Sequence, residues 1–204
     1  MQFVEFKNIF YPMVAFTIHQ VEAMLPGFGN GNLTRWVKKG YVIRLKREMY
    51  TFPEYLHLPA YAYYFSSYLY APSYISLHTA LHYYGMIPEA ITDITAVTTL
   101  KTLTIQNAIG RYCYQSVKPE LFFGYDIKMM PDNHSYLMAT PEKALVDLLY
   151  LHPFYKTAED MEQIRLDDWF MSDELNRERL DGYLKQIDSP SLTQRMNTLL
   201  KIYQ

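Results

Sequence analysis

The stretch from Asn32 to Phe52, NLTRWVKKGYVIRLKREMYTF, constrains this chain more than any other. At about 100° per residue, Leu33, Trp36 and Val37 fall on one side of a helix. Arg35, Lys38 and Lys39 fall on the other. An apolar stripe of that width docks a short helix on a core and leaves its cations in water. Asn30 or Asn32 can supply the N-cap oxygen, and Gly40 stands where a C′ glycine belongs. Val42, Ile43 and Leu45 then alternate loosely with Arg44, Lys46 and Arg47, before Met49, Tyr50 and Phe52 turn apolar again. This pattern predicts a β-hairpin with a charged turn. Between Leu33 and Arg47 there are six Lys and Arg and no Asp or Glu. A helix followed by a basic hairpin is the plan of a winged helix-turn-helix, in which the helix enters a DNA major groove and the hairpin grips the backbone. The same pattern also fits a solvated amphipathic helix followed by an edge hairpin, with charges that only keep the surface soluble.

The charge of the whole chain is unevenly spread. Net charge is −2, but residues 1–55 hold seven Lys and Arg against four Asp and Glu, and residues 56–204 hold twelve against seventeen. A slightly basic head on an acidic body suits a small DNA-binding module joined to a partner-binding or regulatory domain. We therefore expect two units, 1–55 and 56–204. Half of the 204 residues are apolar, enough for a sizeable core, and the 20 tyrosines suit half-buried surfaces. A single cysteine, Cys113, excludes an internal disulfide and reads as a small hydrophobe in a strand. The N-terminus has no signal-peptide pattern, and the apolar region Leu56–Leu81 is broken by Pro59 and Pro72. These features lead us to expect a cytoplasmic protein.

The remaining segments read as an α+β fold. Residues 2–10 are expected as a helix with Phe3, Phe6 and Phe10 on one side. Thr17 caps a second helix that Pro26-Gly27 ends. Ala60–Leu69 is expected as an aromatic helix, and Tyr74–Tyr84 as another, capped by Ser73 and ended by Gly85. From Ile91 the period changes. ITDITAVT, RYCYQSV, LFFGYDIKM and SYLMA read as four strands of a mostly antiparallel sheet. Thr140-Pro141-Glu142 starts a helix through Lys143 to Tyr150 that is apolar on most sides, so it belongs against that sheet. After Pro153 the chain is acidic and helical: Thr157–Leu166, one or two segments in Ser172–Ile187, and a last amphipathic helix opened by Ser189-Pro190.

In this order TRWVKKGYVIRLKREMY, APSYISLHTALHYYGMIPEAI, AVTT, FFGY and ATPEKALVDLLYL resemble the AbiEi-type antitoxins of bacterial type IV toxin–antitoxin systems. The resemblance runs from about Thr17 to Leu151, and PSYISLHTAL and TPEKALVDLL are its most specific segments. It implies an N-terminal winged helix joined to a C-terminal antitoxin domain. It further implies repression of the protein's own operon through operator DNA, and neutralisation of a nucleotidyltransferase-like toxin without need of a stable complex. On that match Thr34, Arg35, Lys38 and Lys39 face the groove, and Arg44, Lys46 and Arg47 contact phosphates. The chain departs from the pattern at Glu48-Met49, where relatives often carry a glycine just before the tyrosine of the second wing strand. Glu48 would repel phosphate, which puts the wing contacts in question more than the helix contacts. The two specific segments are expected to build the fold through capping Ser73 and Thr140 and packing Leu77, Leu81, Leu145 and Leu148, rather than to form a site.

Other chemistry is thinly represented. His78 and His82 have the i, i+4 spacing of a zinc pair. However, Thr79 stands where a metalloprotease needs Glu, and no nearby Cys or acid completes the ligands. Glu142, Lys143 and Asp147 can be imagined as an acid–base trio. Glu142 is more simply placed by the helix dipole, and Asp147 as a hydrogen-bonded buried or rim carboxylate. The tyrosines of residues 61–70 lack the interleaved cations that single-stranded nucleic acid requires. We therefore expect no enzyme activity, no cofactor and no metal. An alternative to the DNA reader is a protein-interaction module whose winged helix is a docking scaffold. If DNA is read, one short helix covers few base pairs, so inverted repeats are expected, bound by a dimer or by cooperating monomers.

Overall fold

The computed structural model describes every residue except Asn30 and Gln204. The N-terminal elements run α1 (Phe3–Phe10), β1 (Ala15–Thr17), α2 (Ile18–Met24), α3 (Gly31–Lys38), β2 (Ile43–Lys46) and β3 (Met49–Thr51). The three strands form an antiparallel sheet in the order β1-β3-β2. Aromatic packing holds the helices on it. Phe6 lies 4.9 Å from Trp36, 5.5 Å from Phe16 and 5.2 Å from Phe28 between ring centroids. Phe6, Phe10, Phe16 and Phe52 are fully buried. Thr17 caps α2 as expected, accepting from the Gln20 amide, and Gln20 returns its side chain to the Thr17 N–H at 2.7 Å. Asn32 is not the cap of α3: the helix already includes it, and Asn32 instead accepts from Arg35 Nη2 at 2.9 Å. The alternative, Asn30, lies outside the described residues. Gly40 ends α3 at φ +71°, with Gly40 N–H donating to Val37 and Tyr41 N–H to Trp36. This paired closure requires a left-handed residue, which glycine adopts without penalty.

The rest of the chain is built on a six-stranded sheet in the order β6-β7-β5-β4-β9-β8. Its strands are β4 (Ser73–Ile75), β5 (Asp93–Thr98), β6 (Leu103–Gln106), β7 (Arg111–Ser116), β8 (Tyr125–Met129) and β9 (Ser135–Ala139). The chain is thus α+β, but the expectation of a mostly antiparallel C-terminal sheet needs correction. Pairs β4/β9 and β5/β7 are parallel, so the sheet is mixed. Consecutive runs joined by short turns suggest hairpins, and β6–β7 and β8–β9 are hairpins. But β6 occupies the outer edge, so β7 folds back beside β5 in the same direction. Ser73 also departs from expectation: it begins the central strand β4 instead of capping a helix, and α5 starts later, at Leu77–Tyr83.

Helix α4 (Pro59–Leu69) packs against β4 and β9, while α5 and α6 (Pro141–Leu151) pack against each other. Thr140 caps α6 as expected, and every residue from Glu142 to Leu149 is buried. The acidic tail forms α7 (Ala158–Glu162), α8 (Arg177–Ile187) and α9 (Pro190–Ile202); α8 and α9 pack on α6, and α7 packs on α9. Helix α7 is shorter than the expected Thr157–Leu166 segment: it ends at Glu162, and the chain turns left-handed at Arg165 (φ 56°). Among the described residues no helix is long and apolar enough to cross a membrane.

Candidate nucleic-acid interface

Helix α3 sorts its side chains as its periodicity dictates. Leu33 and Trp36 are buried, and Trp36 sits edge-on to Phe3 at 5.3 Å. Thr34, Arg35, Lys38 and Lys39 are all exposed. The Lys39 ammonium lies 5.9 Å from the Tyr41 ring centroid, a cation–π distance that keeps it close to the end of the helix. A cation in water beside a rigid scaffold retains its charge and can exchange bound counterions for a phosphate.

The hairpin β2–β3 presents its cations unequally. Arg44 and Arg47 are exposed. Lys46 is turned inward, and Nζ donates to the Leu69 carbonyl at 2.5 Å. That carbonyl belongs to the last turn of α4, which has no intrahelical donor for it and carries the negative end of the helix dipole. Burial lowers the Lys46 ammonium below the ordinary lysine value. Asn107, in the β6–β7 turn, donates to the Leu45 carbonyl at 3.1 Å, so two adjacent residues of β2 are tied to the body of the chain, Lys46 to α4 and Leu45 to the β6–β7 turn. Six of the seven expected contact residues therefore face solvent, and Lys46 is engaged inside the molecule.

Glu48 occupies the hairpin turn at φ 63°, a left-handed conformation that favours glycine. Its carboxylate lies 3.5 Å from Arg47 Nε and 3.9 Å from His19 Nε2. The negative charge thus stands beside the guanidinium at the tip and offsets part of its field.

The segments PSYISLHTAL and TPEKALVDLL meet far from the hairpin turn, in the body of the chain. Lys143 and Asp147 stand one turn apart on α6, with side chains 0% and 2% exposed. They form an ion pair. Lys143 Nζ also donates to Tyr74 Oη at 2.8 Å, and Tyr74 donates in turn to Asp147 Oδ2 at 2.9 Å. Ser76 Oγ adds a third donor to the same carboxylate at 2.7 Å. The FFGY segment closes this cluster from the side. Lys143 Nζ lies 5.1 Å from the Phe123 ring centroid. A β-carbon at Gly124 would stand 3.0 Å from the Lys143 stem, at a backbone φ of +75°. Burial pushes the Asp147 carboxyl up and the Lys143 ammonium down, and their contact opposes both shifts. With both partners closed off from solvent, this cluster joins α6 to β4 and to the residues that follow it.

The imagined acid–base trio is not assembled. Glu142 turns toward α8, accepting from Asn176 N–H at 3.0 Å and Arg179 Nη1 at 3.5 Å. The histidine pair is also divided: His78 is half-buried with its ring 6.3 Å from that of His152, and His82 is exposed. The α4 tyrosines are packed. Tyr61 donates to Asp132 at 2.5 Å, and Tyr63 lies 5.4 Å from Tyr136. Sequence reasoning missed the Tyr74–Ser76–Lys143–Asp147 cluster as a unit. Its signal was an oppositely charged i, i+4 pair on a helix otherwise apolar on most sides. Compared with protein-family models and with curated proteins, the chain gives no match.

Proposed function

We propose that the chain is a DNA-binding transcriptional autorepressor that acts in the cytoplasm as the antitoxin of a type IV toxin–antitoxin pair. Its toxin is nucleotidyltransferase-like. The observation that carries the DNA half is the outward set Thr34, Arg35, Lys38 and Lys39 on a helix whose opposite face is locked by Leu33 and Trp36. The element order also supports it: α2 and α3 joined by a turn, then a two-stranded hairpin paired to β1, is the plan of a winged helix-turn-helix. In this reading α3 enters the major groove of operator DNA. Arg44 and Arg47 contact flanking phosphates, and Lys46 is removed from the contact set because Leu69 holds it. The antitoxin half rests on the resemblance carried by PSYISLHTAL, FFGY and TPEKALVDLL.

The two halves are tested separately. A reporter driven by the DNA ahead of the protein's own gene should be repressed by the chain and released by Arg35→Ala with Lys38→Ala. An unresponsive reporter overturns the repressor half. The same double variant should still rescue growth from the toxin, because its C-terminal body is unchanged. Failure of the unaltered chain to rescue overturns the antitoxin half.

A further inference from the structure

The large sheet ends at β8, and this edge strand has an unusual composition. Ile127 and Met129 are each 66% exposed, although they flank Lys128 in a regular strand. Exposed apolar residues on an open sheet edge form a template for another strand, which proteins ordinarily blunt.

The register shows which backbone groups remain open. Thr140 N–H donates to the Gly124 carbonyl, and Met130 N–H to the His134 carbonyl. With Asp126 opposite Met138 and Lys128 opposite Tyr136, the even-numbered residues of β8 face β9. Antiparallel pairing alternates along a strand, so Tyr125, Ile127 and Met129 turn their N–H and C=O groups toward the free edge.

We propose that β8 is a homodimer interface, pairing antiparallel with β8 of a second copy about a two-fold axis through Ile127. Within one chain Lys128 Nζ lies 3.5 Å from Asp126 Oδ2 on the same face of β8, and Asp126 remains exposed, so a second copy can share the pair. Charge complementarity across the axis selects this occupant and this register. With Ile127 opposite its own symmetry mate, Asp126 of each chain stands opposite Lys128 of the other, and Tyr125 opposite Met129. Opposite charges directly across antiparallel strands attract, and the arrangement satisfies its own symmetry. The three outward residues of each chain supply the inter-chain hydrogen bonds, and the two exposed Ile127 side chains become neighbours on one face. β6, the opposite edge, carries no charged residue in Leu103–Gln106 to impose a register. The proposal does not depend on DNA binding, but a two-fold dimer would suit inverted repeats.

The test is sedimentation equilibrium of the full chain, without DNA, up to about 100 µM, the range in which a small interface associates. The unaltered chain should dimerise. Asp126→Lys sets two ammonium groups face to face across each pair with Lys128, and Lys128→Asp sets two carboxylates face to face. Each variant should weaken self-association by at least about tenfold, because two cross-strand pairs become repulsive. An equimolar mixture of the two variants should recover a dimer, since like charges meet across the axis only when the two chains are alike, as two lysine pairs in one variant or two aspartate pairs in the other. A mixed pair of chains instead sets the introduced lysine against the introduced aspartate, and the native Lys128 against the native Asp126. That recovery also shows that the variants are folded. A monomeric unaltered chain, single variants that dimerise as well as it does, or a mixture that stays monomeric while circular dichroism shows folded chains, each overturns the proposal.

Discussion

At the scale of single residues, a cation's partner decides what it can do. The resemblance to AbiEi-type antitoxins implies that Lys46, like its neighbours Arg44 and Arg47, contacts phosphate. The Leu69 carbonyl takes it instead. Lys46→Ala should therefore leave DNA affinity within about twofold of the unaltered chain and cost roughly 0.5–2 kcal/mol of stability, measured by urea unfolding. Glu48 is the converse case. Its left-handed backbone and its carboxylate both work against a phosphate-gripping turn. Glu48→Gly should raise stability by about 1 kcal/mol and tighten binding to any DNA, with no gain in sequence preference. Asp147→Asn should be far more damaging, at about 3–5 kcal/mol, because it leaves the Lys143 ammonium buried without its counter-charge. The double replacement Lys143→Met with Asp147→Leu should recover much of that loss. If the double variant is no better than Asp147→Asn, the pair contributes more than mutual compensation.

At the scale of elements, legibility follows the length and one-sidedness of each pattern. Helices α1, α3 and α6 are readable because Phe6, Phe10, Leu33, Trp36 and the Thr140 cap repeat or punctuate a clear face. Strand β4 reads as helix because its three residues are buried on both faces and so show no alternation. Strand β6 escapes a sequence reading because it is short and largely exposed at an edge. The candidate DNA-facing residues are legible as a charged stripe, but the inward turn of Lys46 depends on a carbonyl 23 positions away, which no local pattern contains. Packing of α5 against α6 and its neighbours brings a further consequence. Burial, with His152 nearby, holds the His78 imidazole below its ordinary value of 6.5, while Glu89 pulls weakly the other way. The unfolded chain then takes up the proton more readily. Stability is fully present above pH 6.5 and falls as the pH drops through it. His78→Gln should flatten the dependence of the urea midpoint on pH as the pH falls below 6.5. An unchanged slope would assign the acid sensitivity to other groups.

At the scale of the whole molecule, the basic hairpin is fastened to the sheet-bearing body. Lys46 to Leu69, Asn107 to Leu45 and Tyr68 to Gln20 all join the first fifty residues to the rest. The segments PSYISLHTAL, FFGY and TPEKALVDLL meet at the buried Lys143–Asp147 cluster, which joins β4, the loop before β8 and α6. The cationic face of α3 and the two arginines of the hairpin stand outward from this body. The most direct test is a fluorescence-anisotropy titration of the chain against the DNA just upstream of its own gene, alongside scrambled DNA, at matched salt across a salt series. The upstream DNA should bind more tightly than the scrambled DNA. That preference should be lost in Arg35→Ala and Lys38→Ala, and the log–log salt slope should fall by about 0.9 for each phosphate contact removed at Arg44 or Arg47. Equal binding to both DNAs by the folded chain, or a preference untouched by the α3 variants, would contradict the proposed DNA reading.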